Sequence, residues 1–156
     1  MEAGGERRKR AASRRIGSAE EDVFLDLLRT CDRLTRGTVE VLKAADLSPT
    51  QYNVLRILRG ADRALACGDI AGRMITRDPD TTRLLDRLEK RGLIVRAREG
   101  KDRRVVLTRI TPPGLTLLAG LDEPVQAAHR RQLGHLGALR LRRLRQLLRA
   151  ARDEPA

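Results

Sequence analysis

The hydrophobic periodicity of the chain changes twice, and this change limits the fold more than any other feature of the sequence. Up to Gly92, apolar residues recur at the three- and four-residue spacing of amphipathic helices. Residues 93–98 and 103–110 alternate in part, are rich in β-branched side chains and flank a turn at Gly100. Helical spacing returns after Pro112 and continues to about residue 151. The pattern predicts a mainly α fold with one small β-hairpin.

Start and stop signals divide the helical parts into segments. Ser18 and Glu21 fit a capping box, and a first helix is predicted over residues 19–45. The sequence Ser-Pro-Thr-Gln at 48–51 is the clearest helix start in the chain, and Gly60 is expected to end that helix. A short helix over about 68–74, a turn at 75–77 and a helix from Asp78-Pro79 to Gly92 then form a helix-turn-helix.

The C-terminal part of the chain is predicted to be helical as well. Pro112-Pro113-Gly114 begins a helix near Leu115, and Pro124 is expected to kink or divide it. A last helix is predicted over about 132–151, with its leucines on one side.

The charge of the chain indicates a polyanionic partner. Lys and Arg number 33 against 21 Asp and Glu, which gives a formal net charge of +12. Such an excess favours nucleic acid or an acidic membrane surface. Phe24 and Tyr52 are the only aromatic residues, which argues against modules that stack single-stranded bases on aromatic rings. No apolar run approaches the ~20 residues of a membrane span, so we expect a cytoplasmic protein without membrane contact.

Signals for catalysis or metal binding are absent from the sequence. His129 and His135 are six residues apart and do not share a helix face, and no cluster has metal-ligand spacing. No phosphate loop or nucleophile–base signature is present. We expect no enzyme activity, no metal and no cofactor. Cys31 is predicted to be a small core residue, and oxidant sensing by Cys31 or Cys67 stays open.

Three helices followed by a two-stranded hairpin is the order of a winged helix-turn-helix. Five stretches carry a more specific signal: LSPTQYNVL at 47–55, DIA at 69–71, TRLLDRLEKRGLI at 82–94, DRR at 102–104, and Ile110-Thr111 with Gly114. Each stretch is weakly specific alone, but the stretches together, in this order and spacing, are strongly so. They resemble the MarR family of bacterial transcription regulators, and the resemblance covers about residues 20–150. The resemblance implies a winged helix-turn-helix with long terminal dimerisation helices.

The second helix of the helix-turn-helix carries the candidate base-reading residues. Its leucines turn inward and leave four residues facing out: Asp80, Thr82, Arg83 and Arg87. Arg83 is expected to make two hydrogen bonds to guanine, and Thr82 to touch a base or a thymine methyl group. Asp80 either accepts from cytosine or supports the helix N-terminus, and Arg87 is assigned to phosphate. The alternative is an ordinary solvated helix face.

The predicted wing is the second candidate contact. Asp102 and Arg104 are two residues apart on an extended chain, and an ion pair between them would fix the wing tip. By resemblance, Arg104 is the wing arginine that enters a narrow minor groove. Arg103 belongs to the same wing, and Arg77 and Arg91 are assigned to phosphate contacts. The alternative is a generic polar hairpin turn.

The sequence predicts four regions: a disordered basic arm (1–17), a dimerisation helix (18–45), the winged DNA-binding domain (46–111) and C-terminal dimerisation helices (112–152). The leucine stripes of the terminal helices are too extensive for a small winged core to cover. Two-fold dimers read two half-sites about one helical turn apart. We therefore expect a homodimeric, sequence-specific transcriptional regulator, in the simplest case a repressor, on a near-palindromic operator in double-stranded DNA.

Two alternatives and one question remain. The main alternative is a non-specific nucleoid-associated protein that packages nucleic acid through its arginines. A weaker alternative is a peripheral membrane protein that uses residues 139–152. Many MarR-family members release DNA when a small molecule binds between the dimer helices and the winged domain. The sequence names no ligand residues for such an effector.

Overall fold

The computed structural model describes residues 17–76, 80–98 and 105–153. It confirms a mainly helical chain with a small β wing, the fold class predicted from the sequence. In chain order the elements are α1 (Ala19–Lys43), α2 (Pro49–Ala61), β1 (Leu65–Ala66), α3 (Cys67–Arg73), α4 (Thr81–Lys90), β2 (Ile94–Arg98), β3 (Val106–Ile110), α5 (Pro112–Leu133), a 3-10 turn (Gly134–Leu136) and α6 (Gly137–Ala150). Except for Gly17, the predicted basic arm lies outside the described residues.

The chain divides into two units, one up to Arg33 and one from Leu34 onward. The described part of the first unit is the N-terminal half of α1. Its first turn contains three acidic residues, and Val23, Phe24 and Leu28 are exposed. Cys31 is exposed as well, so its prediction as a core residue was wrong. The apolar spacing was helical, but among the described residues these apolar side chains are exposed.

The start of α2 confirms the capping prediction. The Ser48 hydroxyl accepts from the backbone N–H of Gln51 at 3.1 Å, and the Gln51 side chain accepts from the Ser48 N–H at 2.9 Å. The end of α2 was predicted wrongly, because the helix passes through Gly60 to Ala61. Asp62 takes the left-handed conformation instead, with a φ of 50°. Aspartate tolerates this region better than most residues with a side chain.

The sheet has three antiparallel strands in the order β1-β3-β2. The predicted hairpin is confirmed, and its register runs from Ile94 opposite Ile110 to Arg98 opposite Val106. Strand β1 was not predicted, since residues 61–66 were taken as a connection. It contains only two residues and pairs with β3 about forty positions later, where Leu65 lies opposite Thr108. Strand pairing over this separation leaves no local sequence pattern.

Two glycines at the ends of the hairpin region have specific conformational roles. Gly92 follows α4 with a φ of +69°, as its predicted stop role requires. Gly114, in the first turn of α5, lies against the carbonyl oxygen of Leu93, where a Cβ atom would collide. This close approach brings the start of α5 against the end of the helix-turn-helix.

Three further features of the helices differ from the prediction. Helix α4 begins at Thr81 with Asp80 as its N-cap, two residues later than the predicted Asp78 cap. Helix α5 is not divided at Pro124 and continues to Leu133. Buried residues on both sides of the proline, such as Leu121 and Val125, provide packing that offsets the lost backbone bond. Helix α6 begins at Gly137 rather than near 132, because the 3-10 turn and the positive φ of Gly137 separate it from α5.

The core of the second unit is almost entirely aliphatic. Helices α2 and α4, the sheet and α5 all contribute to it. Its fully buried side chains are Leu42, Val54, Leu55, Leu65, Ile70, Leu85, Leu88, Ile94, Leu118 and Thr108. The described core therefore forms without a disulfide, since both cysteines are free.

Thr108 is the exception in this core, and it yields a stability prediction. Its side chain is buried, and its hydroxyl oxygen has no hydrogen-bond partner. A buried unsatisfied hydroxyl is destabilising, and valine has the same shape without it. Thr108→Val is expected to raise the free energy of unfolding by about 1 kcal/mol, measured by urea denaturation.

Thr111 offers a matched control for this substitution. Its hydroxyl donates to the carbonyl of Gly92 at 2.6 Å and accepts from the N–H of Gly114 at 3.2 Å. Thr111→Val should therefore lower stability. If both valine variants changed stability in the same direction, the hydrogen-bond explanation for Thr108 would be wrong.

Candidate nucleic-acid interface

Helix α4 is fixed at its N-terminus by Asp80. One carboxylate oxygen accepts from the backbone N–H of Arg83 at 3.1 Å. The other lies 3.0 Å from Nε of the Arg83 side chain. The structure thus shows the helix-supporting role that the sequence offered as one option for Asp80. Its contact with cytosine stays a prediction.

The two faces of α4 differ sharply in exposure. Leu84, Leu85 and Leu88 are buried, as predicted. Thr82, Arg83 and Arg87 are exposed on the opposite side, and the Arg83 side chain is 77% accessible. A helix held by a leucine face and presenting a hydroxyl and two guanidinium groups has the chemistry needed to read a DNA groove.

Four of the predicted DNA-binding residues lie outside the described residues: Arg77, Asp102, Arg103 and Arg104. The structure describes the base of the wing, where β2 and β3 pair up to Arg98 and Val106. The roles assigned to the wing tip and to Arg77 therefore stay predictions.

An ion-pair cluster joins the base of the wing to α4. Arg96 of β2 donates through Nε to Glu89 at 2.9 Å, and through one terminal nitrogen to Glu89 and to Asp86, each at 2.6 Å. The backbone N–H of Arg96 also donates to Glu89, at 2.9 Å. The Arg96 hydrogen bond holds the pKa of Glu89 below its usual value, and the same bond raises the pKa of Arg96. Glu89 and Arg96 therefore both stay charged at neutral pH.

Sequence reasoning missed this cluster. It did not connect Arg96 of the strand with Asp86 or Glu89 of the helix. A helix residue and a strand residue seven positions apart share no periodic pattern, so no local signal connects them.

Arg91 is engaged within the protein. Its guanidinium donates to the backbone carbonyl oxygens of Ala45, at 2.9 Å, and of Asp46. These carbonyls lie just after α1, where Asp46 has a φ of 50°. Arg91 therefore ties the end of α4 to the connection between α1 and α2. Its predicted phosphate contact is untested, and any such contact would compete with these bonds.

A second ion pair links α2 to α5. Both terminal nitrogens of Arg59 bind the two carboxylate oxygens of Asp122, at 2.9 and 2.8 Å. The hydrogen bond with Arg59 lowers the pKa of Asp122. Because the folded pKa lies below the unfolded value of about 3.9, the stabilisation is complete above that value. It is lost as the pH falls through the folded pKa.

Asp122→Asn tests this pair. At pH 7 the variant is expected to unfold with a free energy up to about 1 kcal/mol lower than that of the wild type, since the pair is half-exposed. The difference should shrink as the pH falls below about 4. Urea denaturation across pH measures it, with Asp26→Asn as control, because Asp26 forms only an exposed pair with Arg29. A pH-independent difference would contradict the assignment.

A cavity of about 490 Å³ lies beside the helix-turn-helix. Its wall is mainly apolar but includes polar side chains from three helices, namely Thr35 and Thr38 of α1, Asn53 of α2, and His129 and Gln132 of α5. Ile75 and Thr76, in the segment that leads from α3 towards α4, also line the cavity. This size and lining suit a small organic molecule. Sequence reasoning named no ligand residues, although polar pairs at helical spacing (35/38 and 129/132) were visible.

One hydrogen bond connects the cavity to the helix-turn-helix. The side-chain oxygen of Asn53 accepts from the backbone N–H of Ile75 at 2.9 Å. Both residues line the cavity, and Ile75 lies five positions before the cap of α4.

No group of three or more His, Cys, Asp or Glu side chains among the described residues is placed to hold a metal ion. No described helix combines the length and the apolar character that crossing a membrane requires.

Comparisons with known proteins point to a single family. The model of the MarR family matches residues 47–106. The transcriptional regulator YfiV of Bacillus subtilis is 32% identical over 108 residues, which cover 69% of this chain and 67% of that protein. A MarR transcription factor of Planctomyces limnophilus is 43% identical, with a TM-score of 0.67 over 87% of this chain and 99% of that one. NadR in complex with 4-hydroxyphenylacetate is 25% identical, with a TM-score of 0.71 over 89% and 98% of the two chains.

Proposed function

The chain belongs to the MarR family, and from this premise we propose that it is a sequence-specific, DNA-binding transcriptional repressor. It binds a near-palindromic operator as a homodimer. The observation that carries the proposal is the exposed face of α4, where Thr82, Arg83 and Arg87 stand opposite a buried leucine face. Within this proposal α4 enters the major groove and the wing meets the adjacent minor groove. The proposed DNA-binding domain of the chain spans residues 46–111.

Dimerisation is proposed through the terminal regions, 18–45 and 112–152. Each exposes large apolar side chains in the single chain. On α1, Phe24 is 59% accessible, and on α6, Leu139 and Leu147 are 72% and 61% accessible. Covering such side chains is the usual source of stability in a homodimer interface. A two-fold dimer also supplies the second recognition helix that a near-palindrome requires.

A small organic effector is proposed for the cavity beside the helix-turn-helix. The cavity has a suitable volume, and one of its polar side chains, Asn53, bonds the segment leading to α4. The related regulator NadR has been crystallised with 4-hydroxyphenylacetate. That compound is therefore the first probe to test, by its effect on the thermal midpoint and on operator binding.

A gel-shift titration at one stated salt concentration tests the proposed function. The probe is the DNA upstream of the protein's own gene, with excess unrelated duplex as competitor. A discrete complex that survives competition is the expected result, and sedimentation should give the mass of a dimer. If selection from random duplexes yielded no preferred sequence, the proposal would fail. The net charge of +12 would then favour the packaging alternative.

A further inference from the structure

Arg96 occupies an unusual position between the two elements that are proposed to contact DNA. It lies in the middle of β2, two residues before the described part of the strand ends. Its side chain is only 23% accessible and binds two carboxylates that are one turn apart on α4. Four hydrogen bonds, one of them from the backbone, join this residue to the recognition helix.

The geometry of these bonds restricts orientation as well as distance. The planar guanidinium uses Nε and a terminal nitrogen on the same Glu89 oxygen, and the terminal nitrogen also reaches Asp86. Charge-assisted bonds from a planar fork hold an orientation that a single point charge does not. Because β2 leads directly into residues 99–104, this contact sets the direction in which the chain leaves α4 towards the wing tip.

The contact also balances charge beside the proposed DNA-binding face. Exposed cations of α4 lie at Arg83, Arg87 and Lys90, while Asp86 and Glu89 are carboxylates of the same helix. Arg96 offsets these carboxylates locally, so they repel phosphate less. An electrostatic role and an orienting role of this contact predict different DNA affinities when the two carboxylates are removed. An experiment can therefore separate the two roles.

We propose that Arg96 is a positioning residue of operator recognition, which holds the wing in register with α4 through Glu89 and Asp86. The two elements then meet adjacent grooves of the same half-site. This inference rests on the proposed function. Asp86 and Glu89 act through Arg96 and are not assigned any contact with DNA.

The double variant Asp86→Ala/Glu89→Ala is the central test. It removes the contact and raises the net charge by two, and alanine preserves helix propensity. If charge alone mattered, the variant would bind every duplex more tightly. The positioning role predicts that the ratio of operator to unrelated-duplex affinity falls by at least about tenfold, while affinity for unrelated duplex stays equal or rises.

A matched control carries the same change in charge. Glu40→Ala/Glu123→Ala removes two exposed carboxylates that pair only with Lys43 and Arg130 on their own helices. This control should keep the wild-type affinity ratio. Arg96→Lys keeps the charge but loses the planar fork, so its ratio should fall in the same direction as that of the double variant. Circular dichroism and urea denaturation establish that each variant is folded.

Footprinting provides a measurement that would not change if Arg96 only stabilised the fold. In the double variant, protection of minor-groove sugars by the wing should be lost, while protection of guanine N7 in the major groove should persist. If the wild type discriminates between duplexes and both Arg96→Lys and the double variant discriminate equally well, the inference is wrong and the proposed function stands. If the wild type itself does not discriminate, the proposed function fails, and the inference with it.

Discussion

Replacing Arg83 by alanine is expected to weaken operator binding by about 1–3 kcal/mol and to relax the preference at one base pair of each half-site. Arg83 is highly exposed, and Asp80 contacts its Nε, which orients the side chain while its terminal nitrogens remain for a guanine. Fluorescence anisotropy with the selected operator and its single-base variants measures both effects. Affinity for unrelated duplex should fall far less.

Arg29 supplies the control for this prediction. It also pairs with an aspartate three residues earlier, at 3.4 Å, and its side chain is almost as exposed as that of Arg83. Arg29→Ala removes the same charge from α1 and should leave the base preference unchanged. Equal losses in the two variants would show that Arg83 contributes only net charge, as the packaging alternative predicts.

Replacing Leu88 by alanine is expected to lower the free energy of unfolding by about 2–5 kcal/mol. The side chain is fully buried where α4 meets the core. Alanine leaves a cavity there, although it favours the helix itself. Urea denaturation at a fixed protein concentration measures the effect, because the stability of the proposed dimer would depend on concentration. Operator binding should weaken as well, in proportion to the unfolded fraction.

Ile75 is the matching exposed residue, with 82% of its side chain accessible. Ile75→Ala removes as many carbon atoms as Leu88→Ala but should change the free energy of unfolding by less than about 0.5 kcal/mol. A large loss at Ile75, or none at Leu88, would contradict the burial described here.

The features predicted correctly from the sequence are those that depend on residues only a few positions apart in the chain. Ser48 and Gln51 are three positions apart and bind each other, so the start of α2 was visible directly. The leucine face of α4 and the hairpin follow from periods of 3.6 and 2 residues. The exposure of Thr82, Arg83 and Arg87 follows from the 3.6-residue period, since the buried leucines fix the rotation of the helix.

The features that were missed depend on contacts between distant residues or on a choice between equivalent signals. Asp78 and Asp80 are both good N-caps two positions apart, and nothing local decides between them. Arg91 was assigned to a phosphate contact, and Arg96 adds to the net positive charge of the chain. Only the tertiary structure shows that one binds the carbonyls after α1 and the other binds carboxylates of α4. The count of Lys and Arg residues therefore overstated the number of cations available to bind phosphate.

The backbone bond between Arg96 and Glu89 also affects how copies of this chain can associate. Strand β2 is an edge of the sheet, and the unpaired amides of an edge strand can template pairing with another chain. Here Glu89 accepts from the Arg96 amide, which removes a donor from that edge. The opposite edge, β1, is only two residues long. Both features make extension of the described sheet by a further strand less favourable.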